Sequence, residues 1–211
     1  MQLVGMLDSP YVRRVAVALQ LLGLQFEHRS LSVFRAFEDF RQVNPVVKAP
    51  SLVCDDGEVL MDSTLILAYA EARARPRTLL PAELPALQHD LRITGLALAA
   101  CEKSVQLVYE RALRPPEKRH APWVERVTGQ LLAACTALDT SLARQPLPAD
   151  TATIRQAGID AAVTWRFAEA MLPELLTVAA FPRIAAHSAA CEALPAFLAA
   201  PHGDGTVRRT A

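Results

Sequence analysis

Gln2-Leu3-Val4-Gly5-Met6-Leu7-Asp8-Ser9-Pro10-Tyr11-Val12-Arg13-Arg14-Val15-Ala16-Val17-Ala18-Leu19-Gln20-Leu21-Leu22-Gly23 reads as a strand that runs directly into a capped helix. Gln2 to Met6 predicts a short strand. Ser9 sets a capping hydroxyl ahead of Pro10, whose fixed φ and missing N–H suit the first helical position. Val12, Val15, Ala16, Leu19 and Leu22 then recur at helical spacing, and Gly23 falls where a left-handed C-terminal cap belongs.

Moving outward, Gln25 to Leu31 predicts a second strand. Phe34, Phe37 and Phe40 follow at a spacing of three and predict a short helix that stops at Asn44-Pro45. Pro50 to Asp55 and Glu58 to Met61 predict two strands joined by the hairpin turn Asp55-Asp56-Gly57. Asp62-Ser63 opens a helix to about Arg73, with Leu65, Ile66, Ala68, Tyr69 and Ala72 as its expected apolar stripe. The order β-α-β-α-β-β-α, a βαβ unit followed by a hairpin and a last helix, is the thioredoxin-like arrangement, and handedness rules leave few other ways to pack it.

Composition shifts near residue 75. The second half is rich in Ala and Leu and predicts helices only: Ala86 to about Leu113, stopped by Arg114-Pro115-Pro116; Trp123 to about Ala143; Thr153 to about Leu172; Phe181 to Ala190; and a short one over Ala193 to Ala199. Thr153-Ile154-Arg155-Gln156 has the form of a capping box. Stretches without charge at Ile93 to Ala100 and Leu131 to Leu138 favour buried helices, with a subunit interface as the alternative. The expected organisation is an α/β N-terminal thioredoxin-like domain over 1–75, a linker over 76–85, an all-α C-terminal domain over 86–200, and a frayed tail over 201–211.

Lys plus Arg and Asp plus Glu number 22 each, so the chain is formally neutral and lacks the basic excess of a nucleic-acid binder. No apolar run reaches the roughly 18 residues of a membrane span, and the N-terminus has no signal-peptide pattern, so a cytoplasmic protein is expected. Cys54, Cys101, Cys135 and Cys191 are scattered without C-x-x-C or metal-ligand spacing. They read as free thiols in a reducing compartment, with no metal site.

Three local features carry chemistry. Ser9 lies at a helix N-terminus, where unpaired N–H groups and a partial positive charge favour an anion; its hydroxyl can donate to a bound thiolate or simply cap its own helix. Lys48-Ala49-Pro50 precedes a strand: with a cis Ala49–Pro50 bond, the residue 49 backbone would face a peptide-like ligand and Lys48 a carboxylate, whereas a trans proline beside a solvated lysine is the ordinary alternative. Asp62-Ser63 opens the next helix, and together an acid and a hydroxyl there suit an α-amino acid group, or serve only as caps.

Three blocks, Ser9-Pro10-Tyr11-Val12-Arg13-Arg14, Asn44-Pro45-Val46-Val47-Lys48-Ala49-Pro50-Ser51-Leu52 and Asp62-Ser63-Thr64-Leu65-Ile66-Leu67-Ala68-Tyr69, resemble in order and spacing the N-terminal domain of glutathione transferases. Bacterial, serine-containing members similar to the YibF group are the nearest in pattern. The resemblance implies glutathione as co-substrate: Ser9 at its sulfur, Ala49 at its cysteinyl backbone with Pro50 cis, Lys48 near its glycine carboxylate, and Asp62 and Ser63 at its γ-glutamyl end. It also implies a homodimer. Val47 stands where the family has glycine and Ala49 where it has valine, while Asp8 puts a carboxylate beside the thiolate position.

On this resemblance the protein is expected to activate the glutathione thiol for attack on a small hydrophobic electrophile, by conjugation, isomerisation or peroxide reduction. Absence of cysteine over residues 8–14 disfavours mixed-disulfide chemistry. The electrophile is expected between the domains, with Tyr11, Tyr109, Arg111 and Trp165 as candidates chosen by position; each has an ordinary packing role as its alternative. The rival expectation is a binding or regulatory protein on the same fold, like the stringent starvation proteins.

Overall fold

Three-residue strands and a set of amphipathic helices follow one another in the computed structural model, which describes residues 1–208. The order is β1 (Gln2–Val4), α1 (Pro10–Leu21), β2 (Glu27–Arg29), α2 (Phe37–Val43), β3 (Ser51–Val53), β4 (Val59–Met61), α3 (Ser63–Ala74), α4 (Leu84–Ala112), α5 (Ala121–Arg144), α6 (Gln156–Met171), α7 (Pro182–Glu192) and α8 (Pro195–Ala199), with a 3-10 turn at Pro116–Lys118. Two compact units emerge: Met1–Leu80 together with the segment from Glu192 onward, and Pro81–Cys191.

The first is a mixed α/β unit. Its sheet runs β2-β1-β3-β4, with β1 parallel to β2 and antiparallel to β3, and β3 antiparallel to β4. Register places Val4 opposite Ser51 and Ser51 opposite Met61. The C-terminal ends of β1 and β4 and the start of β3 therefore share one edge of the sheet. Helix α1 is buried almost all round, and it ends in a Schellman motif: Gly23, at φ +72°, donates to the Gln20 carbonyl and Leu24 to that of Leu19.

Two apolar patterns differ from expectation. Phe34 precedes α2 and Phe37 faces outward, so only Phe40 enters the core. On α3 the buried face is Ser63, Ile66, Leu67 and Ala70, not the stripe through Leu65, Ala68 and Ala72. Residues 65–68 are apolar at every position, which leaves the phase of a 3.6-residue repeat undetermined by composition; packing of α3 against α1 selects it.

A fully buried arginine fixes the chain's last segment to this unit. The Arg13 guanidinium makes a bidentate pair with Glu192, 2.6 Å on both arms, donates from Nε to the Ala200 carbonyl at 2.8 Å and lies over the Phe197 ring. The tail, expected to fray, is tied to the β2 region instead. The Asp204 backbone carbonyl accepts from the Ser30 hydroxyl, Val207 N–H donates to His28 Nδ1 at 3.1 Å and Arg208 N–H donates to the Ala199 carbonyl. The tail residues from 209 onward lie outside the described residues.

The helical unit packs α4 against α5 and α6 around Ile93, Ala97, Leu131, Leu138, Ala161 and Trp165. Pro85, expected in the linker, sits in the first turn of α4, where a missing N–H costs nothing. The expected capping box does not form. Thr153 turns its hydroxyl to the Asp150 carboxylate, α6 starts three residues later at Gln156, and the Gln156 amide bonds Asp160 at 2.7 Å. Asp139 on α5 instead caps α7, accepting from the Arg183 and Ile184 N–H groups.

Candidate functional site

The shared sheet edge of the mixed unit gathers the three sequence features. Gly5, just past β1, touches both other walls: a Cβ built on it would lie 2.6 Å from Val12 Cγ2 on α1 and 3.1 Å from Ala49 Cβ. Ser9 caps α1, and its Oγ accepts from Val12 N–H at a long 3.4 Å. Accepting leaves the hydroxyl proton available for donation, so the cap and a donor role are compatible on one side chain. Tyr11, half-buried, stands two residues on, in the first turn.

Asp8 precedes Ser9 at the surface. Partial desolvation, the largest influence, pushes its carboxyl above the usual value, opposed by the Ser9 backbone N–H and the positive fields of His202 and Arg35. The Arg35 guanidinium opposes part of the negative charge that Asp8 would turn on an anion at Ser9.

Across the edge, the Ala49–Pro50 bond is cis. Asn44 holds the loop, donating to Ser51 Oγ at 2.8 Å and accepting from Val46 N–H at 3.0 Å; the Ser51 hydroxyl donates on to the Lys48 carbonyl. Val47 takes φ +53°, the left-handed region that a β-branched side chain tolerates poorly. That conformation costs roughly 1–2 kcal/mol in a residue with a Cβ, of which about 0.4–1 kcal/mol is taken back by glycine's freedom in the unfolded chain. Val47→Gly is therefore expected to stabilise the protein by about 0.5–1 kcal/mol, seen as a higher urea midpoint. A lower midpoint would show that Val47 side-chain packing outweighs the strain.

The third wall is the α3 N-terminus. Asp62, at φ +71°, caps it by accepting from Thr64 N–H at 2.9 Å. Desolvation, the largest single influence, pushes the Asp62 carboxyl up, but the Thr64 and Leu65 amides and the Lys48 charge together outweigh it and hold the group below its usual value. Lys48 Nζ lies 3.4 Å from the Asp62 carboxylate, both groups being substantially exposed, so the pair is weak and readily exchanged.

One participant had no role in the sequence reading. Arg14, buried on α1, extends its guanidinium to the α3 N-terminus and donates to Ser63 Oγ at 2.9 Å and Thr64 Oγ1 at 3.3 Å. A full positive charge thus stands under a helix N-terminus, and Ser63, accepting from Arg14, is oriented to donate. Its signal is visible in the sequence: two adjacent arginines interrupt an otherwise apolar helix.

The remaining candidates lie in the helical unit. Trp165 is a core residue, 2% exposed and edge-to-face with Phe181 at 5.9 Å. Arg111 is engaged by the Glu174 carboxylate. Tyr109, 44% exposed, lines a cleft of about 320 Å³ at the end of α4, which Arg111 and Trp165 do not line. Among the described residues the cysteines form no disulfide, and burial pushes the Cys135 thiol up to about 12, which leaves it inert as a nucleophile.

A thioredoxin-like α/β unit with two helix N-termini and a cis-proline loop at one sheet edge, joined to an all-helical unit, is the architecture of glutathione-binding transferases. The comparisons agree with that class. A model of the glutathione S-transferase N-terminal domain matches residues 3–78. The uncharacterized GST-like protein YibF of Escherichia coli (strain K12) is 28% identical over 163 residues, covering 77% of this chain and 80% of that protein. A glutathione S-transferase of Methylobacterium radiotolerans, solved with glutathione sulfonate, superposes with a TM-score of 0.86 at 25% identity over 100% of this chain and 99% of the other. A glutathione transferase family member of Pseudomonas fluorescens Pf-5, solved with S-(propanoic acid)-glutathione, gives 0.78 at 27% identity over 94% and 95%. Residues 3–78 match the glutathione S-transferase N-terminal domain, and the chain has the fold of that superfamily.

Proposed function

We propose that the protein is a glutathione transferase that binds glutathione along the sheet edge of the mixed unit and activates its thiol for attack on a small hydrophobic electrophile. The observation that carries this is the convergence of Ser9, the Ala49–Pro50 loop and the Arg14-supported α3 N-terminus on one edge. In this reading the γ-glutamyl carboxylate takes the Ser63 hydroxyl and the α3 amides, and its ammonium group takes Asp62. The cysteinyl backbone pairs with Ala49 in the manner of an added strand. Lys48 leaves its weak pair with Asp62 for the glycine carboxylate. Ser9 donates to the thiolate at the α1 N-terminus, where the helix dipole adds to the effect. The protein contributes thiolate stabilisation and proximity, and Tyr11 and Tyr109 remain the candidates for electrophile contact. A homodimer fits this reading, and the exposed Met61 and Leu65 give the β4–α3 corner apolar side chains for a second copy to cover.

Calorimetric titration with glutathione at neutral pH tests the site. A hydrogen bond to a charged group contributes about 1.5–3 kcal/mol, so Ser63→Ala is expected to weaken binding roughly 10- to 100-fold. Absence of heat in the parent protein would overturn the reading and favour a binding or regulatory role. Equal affinity in the variant would remove the γ-glutamyl carboxylate from Ser63.

A further inference from the structure

His28 holds two segments of the mixed unit with one ring. It is the middle residue of β2, an edge strand, and strand alternation turns its side chain to the face opposite Glu27 and Arg29. Its Nε2 lies 2.7 Å from the Gly5 carbonyl, and its Nδ1 lies 3.1 Å from the Val207 nitrogen. A carbonyl can only accept and a backbone N–H can only donate, so Nε2 carries the proton and Nδ1 is bare. Only the neutral ring in that one tautomer makes both contacts. A second proton, on Nδ1, would face the Val207 N–H and break that contact while leaving the Gly5 bond intact.

Both partners bear on the site. Gly5 is packed against Val12 and Ala49 at the sheet edge. The segment after α8 runs beside the α1 N-terminus, where the charges of Asp204 and of a protonated His202 act on Asp8, the neighbour of Ser9. Residues 201–207 belong to no helix or strand. Besides His28, the Ser30 hydroxyl holds the Asp204 carbonyl at 3.1 Å and the Ala199 carbonyl holds the Arg208 N–H at 2.8 Å. With so few bonds, losing one shifts the balance between docked and released segment.

Among the described residues, the charged groups on the elements around His28 are few. Glu27 and Arg29 flank it on β2, Asp8 follows β1, and the segment after α8 brings His202, Asp204 and Arg208. Helix α1 brings Arg13 and Arg14, engaged by Glu192 and by Ser63 and Thr64, while α8 brings none. Arg35, beyond β2, donates to Met6 Sδ at 3.4 Å. Burial is the larger influence on the ring and pushes the His28 imidazole below its usual value of 6.5, with the Gly5 carbonyl opposing it.

We propose that His28 is a positioning residue that latches the segment after α8 beside the Ser9 position, and that protonation of its ring unlatches that segment. The consequence for the thiol site rests on the glutathione reading; the latch itself is a property of the fold. In the released segment the ring recovers its ordinary proton affinity, so proton binding favours release. The latch is at full strength above the usual imidazole value and weakens as the pH falls through it. It weakens no further below the lower value of the latched ring.

Amide exchange at Val207 and Arg208 is followed by NMR in the full chain at about pH 7.5 and about pH 5, corrected for intrinsic rates. Arg208 bonds a different acceptor, so its exchange reports release of the segment and not loss of a single bond. The net worth of one neutral hydrogen bond corresponds to about two- to tenfold, and the parent is expected to lose about that much Arg208 protection on acidification. His28→Asn places an amide oxygen near the Nδ1 position and takes up no proton; it is expected to keep the protection at both pH values. His28→Gln reaches toward Gly5 with an amide N–H and leaves Val207 without its acceptor, so low protection is expected at both. Val207→Pro deletes the donor instead and gives the same reading if His28→Gln unfolds. Saturating glutathione is expected to slow Arg208 exchange in the parent about two- to threefold and, by linkage, to bind more weakly to His28→Gln but not to His28→Asn.

Arg208 protection that does not change with pH in the parent would overturn the latch. So would an equal acid loss in His28→Asn, which would assign the effect to His202 or another group. Exchange unaltered by glutathione, in a protein that binds it by calorimetry, would overturn the coupling to the site. Absence of glutathione binding would sink the transferase reading and the coupling with it, while the exchange data still decide the latch.

Discussion

Gly5→Ala is expected to destabilise the protein by about 3 kcal/mol, the sum of a backbone penalty and an overpacking penalty. Gly5 has φ +137°, well away from the left-handed helical well near +57° that other residues occasionally enter. Its added Cβ would sit 2.6 Å from Val12 Cγ2 and 3.1 Å from Ala49 Cβ. Val12 is fully buried and β-branched, so its rotamer cannot swing aside. Nor can the Gly5 backbone rotate freely, since its N–H donates to the Arg29 carbonyl at 3.1 Å and its carbonyl accepts from His28 Nε2 at 2.7 Å. Urea unfolding measures the loss, and for a chain of this size it corresponds to a thermal midpoint lower by roughly 6–12 °C. Adding Val12→Ala to Gly5→Ala is expected to restore only part of the loss, since it opens space but leaves φ unfavourable. A Gly5→Ala protein within about 0.5 kcal/mol of the parent would refute the close approach on which the site geometry depends.

The same region shows what a single chain reveals without coordinates. Ser9-Pro10 and Gly23 announced both ends of α1 because capping chemistry is local: a hydroxyl, a fixed φ and a missing Cβ act within one helical turn. The hairpin at Asp55-Asp56-Gly57 was legible for the same reason, and Gly57 takes φ +89° there. The phase of α3 was not legible, because four successive apolar residues satisfy several helical faces and only the partner surface chooses among them. The Thr153 capping box failed through local competition: Asp150 stands three residues before Thr153 and takes its hydroxyl.

Of the site, the helix-terminal residues could be read and their support could not. Ser63 advertises a cap, yet what makes it a donor toward solvent is Arg14, 49 residues earlier, reaching across from α1. Gly5 likewise meets its partners only after β1 pairs with β3 and α1 folds back over the edge. Lys48 and Asp62, assigned by resemblance to opposite ends of one ligand, lie together in the structure because the Asn44–Ser51 loop folds toward the α3 N-terminus. The tail's attachment through Arg13 and His28 depends on contacts nearly the whole chain length apart, which no local pattern encodes.

Ser9→Ala is expected to raise the pKa of the bound glutathione thiol by about 1–2 units, the equivalent of one charge-assisted hydrogen bond of roughly 1.5–3 kcal/mol. Thiolate absorbance of the complex, titrated with pH in both proteins, reads the shift directly. The kinetic consequence depends on pH and has a sign that can be worked out. Well below both pKa values, a shift of about 1.5 units leaves roughly thirtyfold less thiolate in the variant. Thiolate reactivity rises with basicity, with a Brønsted coefficient near 0.4–0.5 in thiol–disulfide exchange; if it is similar here, each variant thiolate reacts about fivefold faster. The net expectation is a rate about five- to tenfold lower at acidic pH, shrinking and then reversing once both thiols are ionised. A deficit that persists undiminished at alkaline pH would show that Ser9 orients the sulfur rather than stabilising its charge. Loss of the N-cap costs about 1 kcal/mol of stability in its own right, so the comparison is made at a temperature where both proteins are fully folded. An unchanged thiol pKa in the variant would leave the α1 N-terminus alone as the source of activation, and Ser9 as a cap and nothing more.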